Sequence, residues 1–129
     1  MVSVMWKFSK LLFATVLLLV LLGCNRPNPR ILPVEVSGHW TTDATGYQGR
    51  FLELSQAFVI IGAGERGNPV VQMIDNVEPA AAGDETTYTI DSTSVEGVHD
   101  QITIQFSPRN GGELRVKERP DVVWRRSSV

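Results

Sequence analysis

The chain has 129 residues with 12 lysines and arginines, 14 aspartates and glutamates, and a formal net charge of −2. This length is typical of one domain, and the acidic excess disfavours nucleic acid as a partner. The single cysteine excludes an intramolecular disulfide, so a hydrophobic core must stabilise the fold.

The first 23 residues have the pattern of an export signal. Lys7 and Lys10 form a positively charged segment, residues 11–22 are apolar, and the small residue Gly23 precedes Cys24. This pattern predicts a signal peptide over residues 1–23 with cleavage between Gly23 and Cys24. The alternative is an uncleaved membrane anchor, although this apolar run is shorter than the roughly 20 residues that span a bilayer.

The run Leu21-Leu22-Gly23-Cys24 resembles the signal of bacterial lipoproteins. The resemblance implies that Cys24 carries acyl chains, palmitate among them, and two or three chains give stable anchoring. Asn25 stands where aspartate commonly retains such proteins at the inner membrane, so the resemblance favours the outer membrane, facing the periplasm. Loss of Lys7 and Lys10 would leave the mature chain with a net charge near −4.

Residues 24–33 are expected to form a tether between the lipid and a folded domain over residues 34–129. Three prolines in this segment fix their own φ and keep the preceding residues out of the helical region. Arg26 and Arg30 are placed to contact anionic lipid, although a solvated linker is the simpler interpretation.

Residues 34–129 predict an all-β domain of about eight short strands. Val34, Val36, Gly38 and Trp40 alternate with polar residues, which predicts a first strand over 34–40. Further strands are expected at 49–54, 57–61, 70–75, 86–91, 102–106, 114–117 and 122–125. Turn residues in 107–112 and 117–121 make the last three an antiparallel meander. Because sheet edges need closure or cover, we expect a small antiparallel β-barrel or a strongly curled meander sheet.

The segment Gly62-Ala63-Gly64-Glu65-Arg66-Gly67 follows the apolar run 58–61 and has the spacing of a dinucleotide-binding motif. That motif requires a helix after the glycines, but Pro69 and several β-branched residues follow instead. We therefore expect a β-hairpin with its tip at 62–68 and with Glu65 and Arg66 in solvent, and no dinucleotide or other cofactor.

Gly38-x-Trp40 resembles the GxW signature of lipocalins and related small calycin barrels. The resemblance implies that Trp40 plugs one barrel end beneath an arginine of the last strand, either Arg125 or Arg126. It also implies a carrier of a small apolar ligand.

The sequence contains no arrangement that is typical of a catalytic or metal site. His39 and His99 are the only histidines, and each has an aspartate nearby, Asp43 and Asp100. Their spacing matches no metal motif, and the serines lack a G-x-S-x-G setting. We expect no metal site and no enzymatic activity; an exported hydrolase that uses His99 and Asp100 is the least favoured alternative.

Basic residues are concentrated in the last strands. Arg115, Lys117 and Arg125 are predicted to share one outer face and to contact a partner protein of the envelope. The simpler interpretation is that these charges keep the sheet soluble. The sequence thus favours a non-catalytic binding or adaptor domain, with a lipocalin-like carrier as the alternative.

Overall fold

The protein folds as a closed antiparallel β-barrel of eight strands in chain order. The computed structural model describes residues 30–127. The predicted signal peptide, Gly23 and Cys24 lie outside the described residues. Within residues 30–127, no helix is long and apolar enough to cross a bilayer.

Hydrogen bonds between sequential strands form the barrel wall, and pairing of the first strand with the last closes it. The strands are β1 Gly38–Thr41, β2 Arg50–Leu54, β3 Phe58–Ala63, β4 Val70–Ala82, β5 Glu85–Ser94, β6 His99–Ser107, β7 Glu113–Val116 and β8 Arg119–Arg126. Trp40 and Thr41 of β1 pair with Arg126 and Arg125 of β8. The predicted all-β class and the closed barrel are confirmed.

The first strand is shorter than the sequence predicts. Residues 34–37 form a turn, in which the N–H of Val36 donates to the carbonyl of Pro33 and that of Ser37 to Val34, both at 3.1 Å. Val34 is 72% exposed whereas Val36 is fully buried, so the predicted alternation is wrong before Gly38. Hydrophobic periodicity depends on side chains alone, so it cannot detect that these backbone N–H groups are hydrogen-bonded within the turn instead of to a neighbouring strand.

Strands β4 and β5 are longer than predicted and form an extended hairpin. β4 continues through Pro79 to Ala82 and pairs with β5 along this whole stretch, with a bulge between Ile74 and Asn76. β3 pairs with β4 only as far as Met73. Among the described strands, the later part of β4 therefore has one unpaired side, where the missing N–H of a proline removes no hydrogen bond between strands.

Inward-facing side chains fill most of the barrel. The core consists of Leu32, Val36, Trp40, Leu52, Leu54, Val59, Val77, Tyr88, Ile90, Ile104, Phe106, Leu114, Val122 and Trp124. Leu32 lies within the segment predicted as a tether, yet it is fully buried and its N–H donates to the carbonyl of Gln56 at 3.1 Å. Because the core residues found within 30–127 all lie between Leu32 and Trp124, a chain of residues 25–129 contains all of them.

Candidate ligand-binding site at the open barrel end

Trp40 fills one end of the barrel, which we call the plugged end. Its indole is fully buried, and its Nε1–H donates to the carbonyl of Val36 at 3.0 Å. The ring meets Phe106 edge-on, with centroids 6.2 Å apart. The turn at 34–37 thus supplies the acceptor that a buried indole N–H needs.

Arg126 covers Trp40 from the last strand. Its guanidinium lies 4.9 Å from the centre of the indole ring, and Nη2 donates to the carbonyl of Glu35. A Cβ on Gly38 would lie 3.4 Å from Arg126 Nε, so the glycine leaves room for this side chain. Gly38, Trp40 and Arg126 therefore come together, whereas Arg125 points elsewhere because adjacent strand residues face opposite sides.

The opposite end, the open end, contains a cavity of about 310 Å³ that we call the mouth cavity. The Trp40 ring lies beside Phe106 and Gly112, where β6 ends and β7 begins. The mouth cavity is lined instead by Arg50 and Ala63, where β2 begins and β3 ends. Its wall is mostly apolar and includes Leu52, Ile61, Ile102, Val116 and Trp124. The barrel is thus closed at one end and recessed at the other.

Tyr47 partly covers the mouth cavity from the β1–β2 loop. Its ring packs edge-on against Trp124, with centroids 5.9 Å apart and an interplanar angle of 85°. The loop is attached to β8 by a 2.8 Å hydrogen bond from Thr42 Oγ1 to the carbonyl of Val123. The carbonyl of Tyr47 also accepts the N–H of Arg50 at 3.0 Å.

Two arginines lie at the rim of the mouth cavity, both over the Tyr47 ring. The guanidinium carbon is 5.1 Å from the ring centre for Arg50 and 5.5 Å for Arg119. Arg119 also forms two bonds to the Asp121 carboxylate, at 3.2 and 3.1 Å. These bonds, above all other causes, lower the pKa of Asp121.

No family model, curated protein or solved structure matches this chain. The function is therefore inferred from the two barrel ends. An apolar recess with a few polar groups at its rim has the general features of a small-molecule binding site.

The two arginines of the rim, Arg50 and Arg119, were not among the residues predicted from the sequence to form a site. Arg50 was detectable in principle, because it continues the inward set of Leu52 and Leu54 within a predicted strand. Arg119 faces the cavity because of an irregularity in the β7–β8 register, where Val116 pairs with Arg119 but Leu114 pairs with Trp124. No sequence pattern marks that irregularity.

The three basic residues predicted to contact a partner are divided between two surface depressions. Arg115 and Lys117 line a polar groove of about 470 Å³ on the outer face of β5, β6 and β7. Arg125 lies in a neighbouring depression and pairs with Glu113 at 3.5 Å. The pKa of Glu113 is lowered, first by a hydrogen bond from Asn110 and then by the charge of Arg125. Arg125 thus forms a salt bridge with Glu113, apart from the groove that Arg115 and Lys117 line.

The two histidines have different neighbours, and His99 lines one surface depression together with Asp100. His39 stacks on Phe51, with ring centroids 4.9 Å apart. His99 Nδ1 lies 2.9 Å from Thr93 Oγ1, while the Asp100 carboxylate accepts the N–H of Gln101 at 2.8 Å. Among residues 30–127, no three acidic, histidine or cysteine side chains are grouped to hold a metal ion.

The glycine-rich segment 62–67 lies at the β3–β4 connection, which confirms the predicted hairpin. β4 follows it, so the strand–helix unit of a dinucleotide site is not formed there. A Cβ on Gly62 would lie 2.3 Å from the Phe51 ring, so this glycine accommodates an aromatic side chain on the outer face. Glu65 and Arg66 are exposed, as expected.

Proposed function

We propose that this protein is a lipid-anchored component of the cell envelope whose barrel binds a small apolar ligand in the mouth cavity without catalysis. The difference between the barrel ends carries the proposal. Trp40 and Arg126 fill one end, whereas the other contains a recess of about 310 Å³. Small-molecule sites are commonly apolar recesses of about 300–1,000 Å³, so this one suits a short alkyl chain or a single ring system.

Binding in this cavity has a quantitative signature. Burial of one methylene contributes about 0.8 kcal/mol, which is about fourfold in affinity. The affinity for primary alcohols should therefore increase about fifteenfold from hexanol to octanol, and the increase should stop once the chain no longer fits.

Two neighbouring isoleucines of β3 provide a matched test. Ile61 lines the mouth cavity, while Ile60, on the next position of the strand, faces outward, and both are half-buried. Ile61→Trp should fill the cavity and abolish the heat of octanol binding in calorimetry of residues 25–129. Ile60→Trp should bind octanol as the unmodified chain does. Equal binding by both variants, or none by the unmodified chain, would refute the proposed site.

The lipid anchor requires a separate test in cells. Cys24→Ala removes the sulfur to which the lipid would be attached, and every described core residue lies downstream of it. We expect wild-type protein to incorporate a palmitate analogue and to sediment with membranes, and the variant to do neither. Labelling of the variant would contradict the anchor at Cys24.

A partner protein remains a second candidate because Arg115 and Lys117 share one polar groove. Charge reversal of both residues should remove crosslinks to envelope proteins, while reversal of the exposed Arg66 should not. Arg125 is left in place, because a glutamate there would face Glu113. Unchanged crosslinks would eliminate this groove as the contact surface.

A further inference from the structure

We infer that the ligand of the mouth cavity carries an anionic head group, a carboxylate or a phosphate, which Arg50 binds at the rim. The inference rests on the proposed function, since it concerns the polar end of a molecule whose apolar part fills the cavity. Its basis is the combination of an apolar recess with an arginine that forms no salt bridge to any residue of the described range 30–127.

Backbone geometry directs Arg50 toward the cavity. It is the first residue of β2, and it pairs with Ala63 in the register that places Leu52 opposite Ile61. Residues at alternate positions of a strand share a face, so Arg50 lies on the same face as two buried leucines. An arginine at the mouth end of an inward-facing row is positioned at the boundary between apolar wall and solvent.

The hydrogen-bond donors of Arg50 are available. Within residues 30–127, its guanidinium forms no salt bridge, and the guanidinium carbon lies 5.1 Å from the centre of the Tyr47 ring. At the plugged end, by contrast, Arg126 covers an indole and also donates to the carbonyl of Glu35. Arg126 and Arg50 thus each lie over an aromatic ring, at opposite ends of the barrel, and Arg50 retains its donors for an incoming anion.

Stacking on Tyr47 holds the Arg50 guanidinium before a ligand arrives. A planar guanidinium matches two oxygens of a carboxylate or a phosphate, and a group already held in place loses less side-chain entropy on binding. An uncharged apolar molecule would form no hydrogen bond with the Arg50 guanidinium. An anionic amphiphile would bind this guanidinium with its head group and the apolar wall of the mouth cavity with its tail.

Arg119 is a second cation at the same rim, but its guanidinium already forms a salt bridge with Asp121. The two bonds between them, at 3.2 and 3.1 Å, engage one edge of the guanidinium. Removal of the Asp121 charge should therefore make Arg119 available to the ligand as well. This predicts a gain of affinity, which a nonspecific loss of structure does not produce.

The experiment compares ligands with the same tail and different heads in calorimetry of residues 25–129. Octanol, octanoate and octyl phosphate are titrated into the unmodified chain and into Arg50→Gln, Arg50→Lys, Asp121→Asn and Arg66→Gln. Arg66 is exposed at the β3–β4 connection, so its variant changes the net charge equally without altering the mouth cavity.

We expect Arg50→Gln to lower the affinity for octanoate or octyl phosphate by about tenfold and to change the affinity for octanol by no more than about twofold. Arg50→Lys should retain part of the affinity that Arg50→Gln loses. Asp121→Asn should raise the affinity for the anionic ligand about threefold, and Arg66→Gln should change it little. The anion that responds more strongly identifies the head group. If Arg50→Gln and Arg66→Gln lost equal affinity for the anionic ligands, or if neither lost any, the inference would be overturned. Binding of octanol would in that case still support the mouth cavity as a ligand site. Failure of all three ligands to bind would overturn the proposed function and the inference together.

Discussion

Trp40→Phe should destabilise the barrel far more than the same change at Trp124. Trp40 loses an indole hydrogen bond to Val36, worth about 1 kcal/mol, and part of a cation–π contact with Arg126, worth about 0.5–1 kcal/mol. The fully buried site also loses the volume of the larger ring, at about 1 kcal/mol. The total is about 3 kcal/mol, or a decrease in Tm of about 15 °C for a domain of this size.

Trp124 is the matched control because it is also nearly buried but lines the mouth cavity. A phenylalanine there retains an aromatic edge for Tyr47, so we expect a loss of about 1 kcal/mol. Urea unfolding of residues 25–129, followed by far-ultraviolet circular dichroism, measures both variants. Equal destabilisation, or a larger effect at Trp124, would refute the assignment of Trp40 as the structural plug.

Three further predictions concern other buried groups. Gly112→Ala should lower the free energy of unfolding, measured in urea, by about 3 kcal/mol, because φ is +106° there and a Cβ would lie 3.2 Å from Trp40 Cη2. Gly111→Ala is the control: a Cβ there would have no neighbouring atom within 4 Å, and the loss should be about 1 kcal/mol. Gln72→Leu should raise stability by about 1 kcal/mol, because the buried Oε1 has no hydrogen-bond partner within residues 30–127, and a lower Tm would contradict this. Burial first, and then the charge of Glu35, raises the pKa of Tyr88, so ultraviolet titration should show one tyrosine that ionises late and is absent from Tyr88→Phe. Because the folded state holds this proton more tightly, its contribution to stability is complete below about pH 10 and is lost as the pH rises further; a Tyr88 that titrates early would contradict the burial.

Side-chain alternation predicted most of the barrel because each strand has one dry and one wet face. The last three strands illustrate this, since Ile104, Leu114 and Trp124 all face inward as expected. Alternation failed where backbone hydrogen bonds determine the structure. The turn at 34–37 and the long β4 through Pro79 depend on which N–H groups have partners, and residue hydrophobicity does not reveal that.

The plug was predictable from sequence, but the mouth cavity was not. Gly38 and Trp40 are neighbours in one short motif, and the barrel closure brings Arg126 to them. The rim instead joins Tyr47, Arg50 and Arg119 from a loop and two strands that are distant in sequence. Its formation depends on a loop conformation and on the β7–β8 register, both of which arise only in the folded barrel.

A methyl NMR titration of residues 25–129 with octanol tests the central claim most directly, because it locates the ligand within the barrel. A ligand in the mouth cavity should shift the methyl signals of Ile61, Ile102 and Val116 together, with a single affinity, and leave those of Val36 beside the plug and the outward Ile60 unchanged. Shifts centred on Ile60 or Val36, or no shifts at saturating octanol, would contradict a barrel that binds its ligand at the open end.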